Sequence, residues 1–113
     1  MTTKAGQKCT AIRRIMVPEA RVQAVNAVLS ERLAATKIGH PAQRDTQMGA
    51  FVSLAQREDV REKLQLLSGE CDPVFGDAQH CLVSGADAKD GAFMSPVLLH
   101  CLDLMGYLGR IGI

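Results

Sequence analysis

The sequence predicts an α/β fold in which two long helices pack on a few strands. Three observations carry this reading. The β-branched, mostly apolar run at 12–17 has the character of a buried strand. Two stretches, 18–37 and 54–68, repeat apolar residues at three- and four-residue steps, the spacing of a helix face. Shorter apolar runs after Gly69, the last at 97–102, read as further strands. Strand, helix, helix, weak strands, strand is the order of an α/β layer rather than a helical bundle.

Length and composition set the limits. The chain has 113 residues, which suits one domain at most. Hydrophobic residues are 47% of it, but there is no Trp, one Tyr and three Phe, so any core must be largely aliphatic. The formal net charge of +1 provides no bulk attraction for nucleic acid or an anionic membrane, and neither is expected as a partner. No apolar run reaches the roughly 18 residues that a membrane span requires. The first eight residues are polar and lack the apolar segment of a secretory leader, which predicts a cytoplasmic setting.

The elements can be justified in order. In the first strand Ile12, Ile15, Met16 and Val17 supply the apolar surface. Pro18 suits a helix N-terminus because its missing N–H costs nothing there, and Glu19 favours the positive end of the helix dipole. In the helix at 18–37, Val22, Val25, Val28, Leu29, Leu33 and Thr36 form one stripe, and Gly39 and Pro41 stop it. A polar loop at 40–47 leads to Met48-Gly49. Ser53 is an N-cap candidate with Gln56 three residues on, the spacing of a capping box. The second helix, 54–68, has Val60, Leu64 and Leu67 as its buried stripe and Gly69 as a left-handed terminator. Val74-Phe75 is followed by a Gly76-Asp77 turn, 81–83 is a short strand candidate ending at Gly85, and 86–90 is a polar loop. The tail at 103–113 carries Gly106, Gly109 and Gly112 at a step of three but shows no repeat unit.

The four cysteines are Cys9, Cys71, Cys81 and Cys101, widely spaced and without a C-x-x-C pair. In a reducing cytoplasm no disulfide framework is expected from them. His80-Cys81 and His100-Cys101 are adjacent pairs, and neighbours on a strand point to opposite faces, so no metal site is expected. Cys9 is the candidate nucleophile. It follows a Gly6-Gln7 turn and has Lys4, Lys8 and Arg13 nearby, and cations favour the reactive thiolate. The alternative reading of Cys9 is an inert cysteine buried beside a glycine turn. Neither a G-x-G-x-x-G dinucleotide fingerprint nor a G-x-x-x-x-G-K-[ST] phosphate loop is present.

Gly6-Gln7-Lys8-Cys9-Thr10-Ala11 resembles the active-site signature of the aldehyde dehydrogenase superfamily, Gly-(Gln/Glu)-any-Cys followed by two small residues. Thr2 departs from it, standing where the family usually has an apolar residue. The string 4–18, KAGQKCTAIRRIMVP, is similar to one branch, the aldehyde dehydrogenase half of the bifunctional ring-opening enzymes of phenylacetate degradation. The resemblance continues through Ile38-Gly39-His40-Pro41, Met48-Gly49, the 53–56 helix start, Gly91-Ala92-Phe93 and Pro96-Val97-Leu98-Leu99. His40 replaces a usual Asp and Val97 a usual Thr. The likeness covers 1–102, read as a partial catalytic domain, and stops before the tail at 103–113.

The resemblance implies covalent aldehyde oxidation. The Cys9 thiolate attacks the aldehyde carbon, and the Cys9 backbone N–H contributes to the oxyanion hole. Hydride passes to NAD or NADP, and water hydrolyses the resulting thioester. The branch implies NADP and a ring-opened CoA-thioester semialdehyde as substrate. In the family the cofactor domain, the general-base Glu and an oxyanion Asn precede the nucleophile, and a Glu-Glu-x-Phe-Gly-Pro segment follows it. None of these lies in the 113 residues. The chain is therefore expected to be a piece of the catalytic domain, inactive and binding no cofactor by itself. A second reading is an inert remnant acting as a small self-associating domain, with a homodimer expected because apolar faces would be left uncovered. A third is a thiol redox protein using Cys9, although no resolving cysteine is close in sequence.

Overall fold

The computed structural model describes residues 2–85 and 91–102. A turn at Thr3–Gly6 opens the chain. A short 3-10 segment, Glu19–Arg21, runs directly into helix α1, Val22–Ala34. Helix α2 spans Leu54–Ser68. Strands β1, Asp72–Phe75, and β2, Leu98–His100, pair antiparallel. The architecture is a small α/β unit of two helices and a two-stranded sheet.

Helix α2 follows from its sequence most directly. Its bounds coincide with the predicted 54–68, and the Ser53 hydroxyl accepts a hydrogen bond from the Gln56 N–H at 3.2 Å, satisfying one of the orphan donors of the first turn. Pairs at helical spacing tie its side chains together, Lys63 to Asp59 and Arg61 to Glu58. The expected left-handed terminator is corrected: Gly69 has φ −77° and closes the helix in a right-handed conformation. Helix α1 is shorter than the predicted 18–37. It ends at Ala34, after which the Thr36 hydroxyl donates back to the Arg32 carbonyl, so Gly39 and Pro41 lie beyond the stop rather than making it.

The predicted strand at 12–17 does not form. The run is irregular and joins no strand among the described residues, and Ile12, Ile15 and Met16 are exposed, Met16 by 77%. A strand is stable only when a neighbour takes up its backbone groups. The short strand predicted at 81–83 is likewise absent; only the following residue, Ser84, makes an isolated bridge, to Gly39. The last strand contracts from 97–102 to Leu98–His100 and is half-buried. Between Pro73 and Phe75 the register slips by one residue, a bulge that fits a proline on a sheet with two open edges. The loop at 86–90 and the tail at 103–113 lie outside the described residues.

The core sits away from the sheet. Ala5, Ile38, Met48 and Phe93 are buried together, with Ala50, Phe51, Cys81 and Val83 packed around them. Of the α1 stripe only Leu33 is buried, and Val28 is exposed. Val22, Val25 and Leu29 instead line an open groove of about 1130 Å³, shared with 12–17, Val60 and Leu64 of α2, and β2. The helices therefore carry the predicted apolar faces, but the two strands are too few to cover them. The expectation of helices packed on strands is corrected to this extent.

The absence of a disulfide is also corrected. Cys71 and Cys101 are bonded to each other, with Cα atoms 4.4 Å apart. They directly flank the Asp72–His100 pair of the sheet, so the antiparallel register sets them side by side. A sequence separation of 30 residues conceals that proximity.

Gly39 is a point of close backbone approach. Its N–H donates to the Met48 carbonyl at 3.1 Å, and the neighbouring Ile38 carbonyl accepts from the Ser84 N–H at 2.9 Å. A β-carbon at Gly39 would meet the Ser84 carbonyl oxygen at 2.5 Å. Gly39→Ala must push apart backbone segments that cannot yield like a side chain, at a cost of about 1–3 kcal/mol. Denaturant unfolding should show a lower midpoint, and an unchanged midpoint would contradict the close approach.

Candidate functional site

Cys9 lies in a turn closed by the Ala11 N–H donating to the Lys8 carbonyl at 2.9 Å. Its side chain is exposed and its thiol is free. The alternative of a buried structural cysteine therefore fails. Among the described residues no hydrogen bond is made to the Cys9 N–H, which leaves that donor available to a ligand. Lys4 and Lys8 are exposed alongside it in the same segment, and Arg13 follows.

What holds this turn is a strained and anchored approach. Lys4, Ala5 and Gly6 have φ of 50°, 52° and 77°. Glycine adopts such values freely, but a residue with a β-carbon does so at a cost of about 1–3 kcal/mol. Two contacts offset that cost. Ala5 is buried in the core against Ile38, Met48 and Phe93. The Gln7 side-chain carbonyl accepts from the Val52 N–H at 3.0 Å, across 45 residues of sequence. The next residue along, Phe51, donates its N–H to the Ala92 carbonyl at 2.8 Å. Three segments singled out separately in the sequence, the Gly6-Gln7 turn, the stretch after Met48-Gly49 and Gly91-Ala92-Phe93, thus converge on the residues that lead into Cys9.

The other thiols have different fates. Cys81 is half-buried in an open cleft of about 650 Å³ that Phe75, Arg61 and Phe93 also line. Burial pushes its thiol pKa up, and the nearby Arg61 guanidinium only partly opposes this. His80 does not join it as a metal-ligand pair; its Nδ1 contacts the Asp77 carboxylate, and both are at the surface. The Asp77 pKa is lowered, first by the Gln79 N–H that it accepts at 2.8 Å and then by His80. Cys101, adjacent to His100, is taken up by its bond to Cys71. Among the described residues no group of three metal-ligating side chains comes together. No described helix is long and apolar enough to cross a membrane.

Sequence reasoning passed over Gln7 as an anchor and two arginines of α2. The Arg57 guanidinium donates to the Gly91 carbonyl at 2.9 Å and that of Arg61 to the Ala78 carbonyl at 2.8 Å. Both guanidinium groups are half-buried and draw the later loops onto the helix. Their i, i+4 spacing put them on one face, but nothing local distinguished them from solvated cations.

Comparison with known proteins places this geometry in context. The sequence matches the aldehyde dehydrogenase family over residues 1–105. It is 43% identical over 101 residues to a 3,4-dehydroadipyl-CoA semialdehyde dehydrogenase of Aromatoleum evansii, covering 89% of this chain and 20% of that protein. A protein of Staphylococcus haemolyticus that carries the aldehyde dehydrogenase name is 33% identical over 61 residues, 54% of this chain and 13% of its own length. The chain thus spans a fifth or less of these relatives.

The thiols should differ in reactivity. At pH 7–8 iodoacetamide should label Cys9 about tenfold faster than Cys81, because the exposed thiol is accessible and the buried one holds its proton. Because burial raises the Cys81 pKa above the ordinary thiol value, the gap should narrow only at a more alkaline pH than an ordinary thiol needs to ionise. Peptide mapping of a time course reads both, and faster labelling of Cys81 at pH 7 would overturn the assignment.

Proposed function

From the premise that this chain belongs to the aldehyde dehydrogenase family, we propose that it is the nucleophile-bearing segment of an enzyme oxidising an aldehyde to a carboxylic acid, with Cys9 as nucleophile. The observation that carries the reading is the exposed Cys9 on a turn whose approach is strained and tied to the core through Ala5 and Gln7. A nucleophile must be both accessible and fixed in place, and strain at such a turn is tolerated where the surroundings over-determine it. The Cys9 thiolate attacks the aldehyde carbon to form a thiohemiacetal. The Cys9 N–H is one of the donors to its oxygen.

The relative's name supports a CoA-thioester semialdehyde as substrate, and the string 4–18 supports the phenylacetate branch, with NADP as oxidant. The described residues do not fit a nicotinamide dinucleotide. The two strands are antiparallel, and no glycine-rich turn leads from a strand into a helix N-terminus. No step through that cofactor is assigned to this chain, and turnover is expected only together with further polypeptide.

An activated ester tests the covalent role without a cofactor. With p-nitrophenyl acetate the chain should release a burst of about one nitrophenolate per chain and carry the acetyl group as a thioester on Cys9. Cys9→Ser should lose the burst. Acylation confined to Cys81, or a burst retained by Cys9→Ser, would refute the assignment.

A second reading, that the chain by itself is an inert, self-associating unit, is favoured by its open groove and by exposed apolar residues such as Met16 and Leu82, the latter 95% exposed. Burying such surface is worth about 25 cal/mol per Å², and a symmetric homodimer is the commonest closed solution. Sedimentation equilibrium at micromolar concentration should report a dimer. A monomer of 12.2 kDa would rule out this reading.

A further inference from the structure

We propose that the Cys71–Cys101 bridge is a reversible, thiol-switched clip that holds the β1–β2 pair closed. Three observations support it, none of which depends on the aldehyde chemistry. First, the pair is slight. It has three register partners interrupted by a bulge, and no third strand supports either edge among the described residues. A two-stranded unit of this size is marginal without a cross-link. Second, the bridge joins the two strands at the end remote from their turn side. Cys71 precedes β1 directly and is anchored to α2 through its N–H, which donates to the Leu67 carbonyl at 2.8 Å, while Cys101 follows β2 directly. The bond thus ties the free end of β2 to the end of a well-formed helix.

Third, access to the two sulfurs is unequal. Cys71 is buried, 5% exposed, whereas Cys101 is half-buried and followed by the exposed Leu102. Exchange depends on which sulfur an incoming thiolate can reach. A small thiol such as glutathione therefore attacks the Cys101 sulfur. The protein S–S bond breaks, a mixed disulfide forms on Cys101, and Cys71 leaves as a thiolate that takes up a proton. A second glutathione thiolate attacks the sulfur of the attached glutathione, releasing oxidised glutathione and the Cys101 thiol. Two glutathione thiols are oxidised to one disulfide, and one protein disulfide is reduced to two thiols. The reverse sequence, with oxidised glutathione as the two-electron acceptor, closes the clip.

The consequence of opening is local. The backbone at Gly76 lies against Pro96, so the two strands remain close at their other end, and the core around Phe93 does not involve the bridge. The pairing of 72–75 with 98–100 should loosen while α2 persists.

The test equilibrates the whole chain at graded ratios of reduced to oxidised glutathione. Intact mass and peptide mapping follow the bridge, and amide hydrogen exchange follows the structure. The bridge should open and re-form with the ratio, and the transient adduct should map to Cys101. Exchange at 72–75 and 98–100 should rise about tenfold or more on opening, with the middle of α2 unchanged. Cys101→Ser should show the fast exchange at every ratio. The proposal is overturned if Cys71 and Cys101 do not pair at any ratio, if the adduct maps to Cys71, if opening leaves strand exchange unchanged, or if exchange rises throughout the chain, since the bridge would then be a global staple and not a local clip.

Discussion

The small core that anchors the approach to Cys9 is drawn together at the close backbone contact of Gly39. There the segment after α1 meets both 48 and 84, through Gly39 to Met48 and Ser84 to Ile38 hydrogen bonds. The absence of a side chain at Gly39 brings these segments within reach. Ile38 and Met48 are thereby set beside Phe93 and Ala5, and the four close the small core. Ala5 is the residue through which that core meets the turn: its left-handed backbone is buried there and its N–H donates to the Thr2 carbonyl at 3.0 Å.

Fixing the turn in this way gives Cys9 the two properties a covalent nucleophile needs. Its sulfur is open to a ligand, while the chain leading to it is pinned at Ala5 and Gln7. Loops usually trade accessibility for mobility, and here long-range contacts remove that trade. The core is small, however, and the apolar surfaces of α1, α2 and the 12–17 segment face an open groove that β2 lines on only one side. The chain spans a fifth or less of the relatives it matches, and a face of this kind is the physical mark of a surface suited to further polypeptide.

Local chemistry made the turn that carries the candidate Cys9 legible in advance. The Gly6-Gln7-Lys8-Cys9 string marked the turn and its cysteine, and the family match over 1–105 agrees with the resemblance read from those residues. Gln7 was read only as part of a motif, yet its contact with Val52 spans 45 residues and has no local signature. Arg57 and Arg61 were similarly hidden, because a helix-surface arginine looks the same whether its partner is water or a distant carbonyl.

The sequence by itself determined the elements whose energetics are local. Helix α2, with its Ser53 cap, its i, i+3 and i, i+4 ion pairs and its apolar stripe, follows from side chains within a few residues of one another, and most of α1 does too. Tertiary structure alone decided what needs a distant partner. The run 12–17 has the composition of a strand but forms none, because no strand among the described residues runs alongside it. Cys71 and Cys101 read as separate thiols until the antiparallel pairing of Asp72 with His100 brought them together. Helix hydrogen bonds close within four residues, whereas strand pairing and disulfide geometry depend on which remote segment the chain brings alongside.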